Sequence, residues 1–400
     1  LAYGRQTQEI DVPDANLVAS ERGAAAPPVT DLAGAVRQAL QQPFHFPALH
    51  LALTPDDHVA IAVDERLPRL AEILVPLLEE VRAAGVAPEA ITLVCLPPST
   101  GQNWALELPD DFQDVRIEVH QPAERPKLSY LATTRQGRRI YLNRSAVDAD
   151  QLILLTGRSY DPRAGVVGAE IALFPSLGDE ATIREFAGKL SLDAPGAEPW
   201  PIRQEAAHVA WLLGAPFLVQ IIEGMGDEVL HVMGGTVESS REGQRLLDNQ
   251  WRVHVDRPAD TVLAAIAGDP ARATFEDLAR AYYCAARVVK PGGRVALVTD
   301  VNPPLGRAAE LMRQYDDPVD ALKILFKEKP ADLAAGFLWA SAAEKAKLYL
   351  LSRLPGDVVE EMFVTPLEKS DEVLKLLAEG ASCLVLPDAH KTLAVLNNSA

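Results

Sequence analysis

Apolar residues in this chain fall into short unbroken runs separated by longer stripes at helical spacing. His58-Val-Ala-Ile-Ala-Val63, Ile91–Leu96, Val115–His120 and Leu152-Ile-Leu-Leu155 read as strands. Their continuous apolar character suits strands covered on both faces. Between them, Leu32–Leu40 follows a capping Asp31, and Arg69–Ala84 carries Leu70, Ile73, Leu74, Leu77 and Val81 on one stripe. Strands alternating with helices at this spacing predict parallel sheets with right-handed crossovers. The same alternation continues downstream. Gly178–Leu190 with Asp179 at its start, Arg203–Leu213 and Thr236–Trp251 are predicted helices, and Asp193–Pro201 is a connector. Phe217–Glu223 and Val229–Met233 are predicted strands around the turn Gly224-Met-Gly226. Arg252–Pro258 reads as a linker. Beyond it come strand Thr261–Ala267, helix Phe275–Val288, strand Arg294–Thr299, helices around Arg307–Gln314, Pro318–Phe326 and Phe337–Leu351, and strands Val359–Val364 and Cys383–Leu386.

The expected fold class is therefore α/β, with two domains, each a mainly parallel sheet flanked by helices, and a ligand cleft between them. Four hundred residues exceed one ordinary core. The expected division is 1–252 and 258–400. A net charge of −18 argues against a nucleic-acid partner. No run of about 18 apolar residues predicts a membrane span. Three cysteines far apart suit a reducing, cytoplasmic setting and no disulfide framework. Self-association into a homo-oligomer is left open.

Chemistry is expected where strands end. Asp64-Glu65-Arg66, Ser99-Thr100, the stretch Arg158 to Arg163, and Asp300 to Asn302 all follow predicted strands. In an open α/β sheet such loops share one edge and converge on a crevice. Their arginines suit a carboxylate or phosphate. Other motifs carry less. Lys290-Pro-Gly-Gly before a strand is turn chemistry, and Gly224-Met-Gly226 lacks the third glycine of a dinucleotide fingerprint. None of the eight histidines forms an i,i+4 pair, no cysteines are close enough for a zinc clasp, and no Gly-x-Ser-x-Gly elbow occurs.

The order of these loops resembles the nickel-pincer lactate racemase family. Asp64 and Pro68 match that family's Asp-His-Thr-Arg-Pro, and Ala164, Gly165, Gly168 and Pro175 match its central motif at the right spacing. Ala267-Gly268 through Lys290-Pro-Gly-Gly293 is similar to its second domain, with Arg280 near a basic pocket position and Trp339 at a pocket tryptophan. The resemblance implies a racemase or epimerase of 2-hydroxy acids such as lactate. It also marks the departures. The family's proton-transfer histidines fall on Ser99 and Asp161, its cofactor-tethering lysine on Ile171, and a nickel-binding histidine near Ala187. Neither Ser nor Ile can replace those groups. Asp161 would need a raised pKa to act as a base, and Arg158 and Arg163 beside it act the other way.

The expectation is thus a diverged homologue that binds a small anionic molecule, a 2-hydroxy acid or a nucleotide, with no metal and no cofactor. Asp64, Arg66, Ser99, Thr100, Arg158, Arg163, Arg280 and Trp339 are its candidate ligand-binding residues. The alternative is an active racemase holding the nickel-pincer nucleotide non-covalently, with Asp161, Tyr160, Glu65 or Glu170 moving protons.

Overall fold

The computed structural model describes residues 1–400 except 11–13, 98–100, 135–136, 197–199, 215 and 398–400. The chain divides into two compact units. One comprises Ala26–Gly224 with Glu228–Leu247; the other comprises Leu1–Ala25, Met225–Asp227 and Asp248–Ala400. The first 25 residues thus fall with the C-terminal unit rather than with the segment that follows them.

In the N-terminal unit the strands of the main sheet are β1 (Val59–Val63), β2 (Ile91–Cys95), β3 (Arg116–Val119), β4 (Gln151–Gly157), β5 (Phe217–Glu223) and β6 (Val229–Gly235). They form one sheet in the order β6-β5-β4-β1-β2-β3. β1 pairs in parallel with both β2 and β4, and β5 joins β4 in parallel. Only the edge strand β6 runs antiparallel, through the turn at Gly224-Met-Gly226. The unit's main helices are α1 (Leu32–Gln41), α2 (Leu70–Ala83), α3 (Ala169–Leu173), α4 (Glu180–Ala187), α5 (Pro201–Leu212) and α6 (Ser240–Trp251), the last turn of α6 passing into the other unit. Asp31 accepts from Gly34 N–H at the start of α1, and Asp179 accepts from Thr182 N–H at the start of α4, as the sequence predicts.

The unbroken apolar runs have a direct explanation. Successive side chains of β4 point to opposite faces. Ile153 and Leu155 join the core under α1 and α2; Leu152 and Leu154 join a second core with Ala169, Leu173, Phe174, Ile202 and Val209. Both faces are dry, so both need apolar residues.

Past β4 the chain does something that hydrophobic pattern alone does not foretell. The polar stretch folds as a hairpin, Ser159–Asp161 against Gly165–Val167, with Tyr160 opposite Val166. Arg158 immediately precedes this hairpin and Glu170 follows it, and their side chains meet in the interior. Arg158 Nη2 donates to Glu170 Oε2 at 3.2 Å, and Arg203 Nη2 of α5 donates to Oε1 at 3.2 Å. Ser240 Oγ, at the start of α6, donates to Oε2 at 3.1 Å. Arg158 Nε donates to Gln220 Oε1 of β5 at 2.9 Å, and Gln220 Nε2 donates to Ser239 Oγ. The ion pair therefore closes the neck of the hairpin. Two glycines make room for it: a Cβ on Gly168 would stand 2.8 Å from the Arg158 guanidinium carbon, and one on Gly243 2.8 Å from its Nε.

The C-terminal unit is a parallel sheet of β7 (Ala259–Ala265), β8 (Val289–Val298), β9 (Lys347–Leu351), β10 (Val364–Leu367) and β11 (Cys383–Leu386), in the order β10-β9-β8-β7-β11. Its main helices are α7 (Phe275–Ala286), opened by a Thr274–Asp277 capping box, and α8 (Leu333–Lys345). Three expectations change here. Arg252–Val255 is a strand paired with Leu393–Leu396 and Ser20–Arg22, not a linker. The helix expected over Phe337–Leu351 stops at Lys345, and Lys347–Leu351 becomes β9 because Leu348 and Leu350 bury one alternating face. The strand expected over Val359–Val364 is the end of a short helix, Gly356–Glu360, followed by a turn, with strand pairing beginning only at Val364. Among the described residues no helix is long and apolar enough to cross a membrane.

Two outcomes follow from these interiors. Burial raises the Glu170 carboxyl, but Arg158 and Arg203, with hydrogen bonds from its own backbone and Ser240, outweigh burial and hold it below the ordinary carboxylate range. Glu170→Gln would leave two buried guanidinium groups without their counter-charge. A loss of about 3–5 kcal/mol in urea unfolding at pH 7 is expected. Because the folded-state value is depressed, that difference is full above about pH 4.3 and shrinks as pH falls further. The cysteines, all buried and free, give a second test. Cys95 is pushed up to about 12, chiefly by burial, and Cys284 to about 11, also by burial. Native protein should give no rapid reaction with a thiol reagent at pH 8, and three equivalents after denaturation.

Candidate functional site

Reading the parallel strands of the N-terminal sheet in chain order, β2 and β3 lie on one side of β1, and β4 and β5 on the other. Strand order reverses between β1 and β4, and such a switch point leaves a crevice outside the strand ends. Two of the candidate loops border it.

The β1 loop begins at Asp64, whose N–H donates to Leu155 O of β4 at 3.0 Å. Asp64 Oδ1 accepts from Arg66 N–H at 3.1 Å and lies 3.5 Å from Arg66 Nε. The carboxylate thus turns the loop and orients the guanidinium in one motif. Glu65 between them points inward. Its Oε1 accepts from Trp104 Nε1 at 2.9 Å, and both side chains are buried. Cys95, the last residue of β2, stands close enough for the Glu65 carboxylate to add to the upward push on its thiol.

The hairpin after β4 repeats the first arrangement. Asp161 Oδ1 accepts from Arg163 N–H at 2.7 Å and from Arg163 Nε at 3.0 Å. Again an Asp-x-Arg unit caps a turn and holds its own guanidinium. The turn closes through Gly165, at φ +72°, where a Cβ would also meet Pro195 at 2.9 Å and the Trp200 ring at 3.1 Å. Tyr160 is half-buried on the adjoining strand. Asp161 itself has no exposed side-chain surface, whereas Arg163 keeps 32% of its own and Arg66 39%.

The sequence-expected residues therefore separate into groups. Asp64, Glu65 and Arg66 border the switch point on the β1 side, and Tyr160, Asp161 and Arg163 lie in the hairpin beyond β4. Arg158 does not face solvent; its side chain is fully buried, as the neck ion pair requires. Arg280 belongs to the C-terminal unit, where its Nη2 donates to Glu276 Oε1 at 2.6 Å, one helical turn away. Trp339, expected to line a pocket, is a core residue. It packs beside Phe275 and Tyr282, and its Nε1 donates to Met362 O at 2.7 Å. Ser99 and Thr100 lie outside the described residues. Among the described residues no three His, Cys, Asp or Glu side chains gather as metal ligands would.

Sequence reasoning overlooked Trp104, Arg203, Gln220 and Ser240. Gln220 carries a legible signal, a lone amide inside the apolar strand Phe217–Glu223. Buried polar groups need partners, so such a residue announces an interior network. Arg203 and Ser240 look like ordinary residues near helix starts and give no such sign.

Comparison with known proteins agrees with this architecture. Residues 3–197 match the model of the lactate racemase N-terminal domain family. The structure of the lactate racemase apoprotein from Thermoanaerobacterium thermosaccharolyticum superimposes with a TM-score of 0.80 at 18% identity, covering 98% of each chain. A crystal structure of a protein from Thermotoga maritima superimposes with a TM-score of 0.65 at 12% identity, covering 94% of this chain and 100% of that one. No curated protein sequence matches. At these identities the superpositions establish a lactate-racemase-like fold, and the family match identifies residues 3–197 with the lactate racemase N-terminal domain.

Proposed function

We propose that this lactate-racemase-like protein binds a small anionic ligand, a 2-hydroxy acid or a nucleotide, at the carboxyl ends of β1 and β4, without nickel-pincer chemistry. The observation that carries the reading is the pair of Asp-x-Arg units, Asp64–Arg66 and Asp161–Arg163. A carboxylate that holds one guanidinium fixes its direction, which lowers the entropic cost of recruiting it to a ligand. Both guanidinium groups keep partial solvent exposure.

The nickel-pincer group does not fit the side chains at the positions where the resemblance would place its anchors. Ile171, at the tether position, sits on α3 against the apolar core and has no amine. Asp161, at a proton-transfer position, is a buried carboxylate hydrogen-bonded by Arg163 and offers no imidazole. Ala187, near a nickel-ligand position, offers only a methyl group.

Binding is tested by calorimetric titration with lactate and with AMP. Arg66→Ala and Arg163→Ala should each weaken the ligand that binds by about tenfold or more, the scale of one charge-assisted hydrogen bond. Absence of binding to the wild type, or affinities unmoved in both variants, would remove the basis of the proposal. The cofactor half of the reading has its own test. Protein produced alongside a nickel-pincer biosynthetic pathway should be colourless and nickel-free, and should leave L-lactate unchanged. Metal-dependent interconversion of D- and L-lactate by such material would overturn it.

A further inference from the structure

The neck of the hairpin is not balanced in charge. Two guanidinium groups, Arg158 and Arg203, share the single carboxylate of Glu170. The other side chains hydrogen-bonded to these three groups are neutral. Gln220 Oε1 accepts from Arg158, Gln244 Oε1 accepts from Arg203 Nη1 at 2.7 Å, and Ser240 Oγ donates to Glu170. The twelve-residue helix α6 begins at Ser240, and the Arg158 side chain lies against its first turn at Gly243. That helix start adds partial positive charge. The Arg158 side chain is fully buried and that of Arg203 is 9% exposed. Two of their N–H groups, Arg158 Nη1 and Arg203 Nε, are buried and have no hydrogen-bond partner in the protein.

A buried guanidinium N–H left without an acceptor costs free energy. A surplus positive charge in the interior costs more, unless an anion accompanies it. We propose that this neck holds one small monovalent anion, a halide such as chloride, accepting from Arg158 Nη1 and Arg203 Nε. Glu170 is the opposing influence: its carboxylate repels any anion nearby. The sum of two guanidinium groups and a helix start against one carboxylate still leaves room for one negative charge and no more. A divalent anion is disfavoured by the same count. The site would be structural, since it lies where the hairpin carrying Tyr160, Asp161 and Arg163 joins the sheet. It stands apart from the ligand reading above and does not depend on it.

The test compares thermal unfolding of the full chain in sodium chloride, sodium bromide and sodium gluconate at one ionic strength. Gluconate is too large for an interior site. Chloride and bromide should raise the midpoint over gluconate by about 2–4 °C at concentrations well above the dissociation constant. Crystals grown in bromide should show an anomalous peak within hydrogen-bond distance of Arg158 Nη1 or Arg203 Nε. Arg203→Gln leaves Arg158 and Glu170 as a balanced pair, so it should keep the fold by circular dichroism and lose the halide dependence. Equal midpoints in all three salts, with no bromide peak at the neck, would mean that water alone fills the position and would overturn the proposal. A halide dependence that persists unchanged in folded Arg203→Gln would place the effect elsewhere, with the same result. The wild-type measurements decide the matter even if the variant does not fold.

Discussion

A carboxylate shared by two guanidinium groups fixes the part of the N-terminal unit where chemistry is expected. Glu170 lies twelve residues beyond Arg158, and the stretch between them is the hairpin that presents Tyr160, Asp161 and Arg163. Hairpins this short are marginal on their own. Here the two ends are joined by an ion pair inside the protein, where separating the charges is costly. Arg203 ties the same carboxylate to α5, Ser240 ties it to α6, and Gln220 ties Arg158 to β5. The position of the hairpin is therefore set by the helix layer and the sheet together.

The strand-end loops show how a short motif can serve twice. In both Asp64-Glu65-Arg66 and Asp161-Pro162-Arg163 the aspartate closes a backbone turn and orients a guanidinium. Glu65 differs in that it is turned inward to Trp104 and Cys95.

The fold is that of a lactate racemase over nearly the whole length. Fold alone does not determine function, which resides in particular side chains. At position 171 the sheet-facing layer has been completed with an isoleucine that packs beside Ala169, Ala172 and Leu173. Such a residue serves the core well and cannot form a bond to a cofactor. The C-terminal unit shows the same priority at Trp339, whose indole N–H is spent on the Met362 carbonyl within the interior.

The amino-acid sequence by itself determined the layered α/β class, most strands of the N-terminal sheet, the caps at Asp31 and Asp179, and the loops where strands end. Those features depend on periodicity and on contacts a few residues apart, which linear order records. Only the tertiary structure decided that Arg158 is interior, that Trp339 is core, that Lys347–Leu351 leaves its helix to become a strand, and that Arg252–Val255 is paired. Each of these depends on a partner far away in the chain: Arg158 on Glu170 and Gln220, Trp339 on Met362, Leu348 on Val295 and Val364, Val253 on Ala394 and Arg22. A charged residue in a loop looks the same in sequence whether it meets water or a buried carboxylate, and the difference is made by what the fold brings beside it.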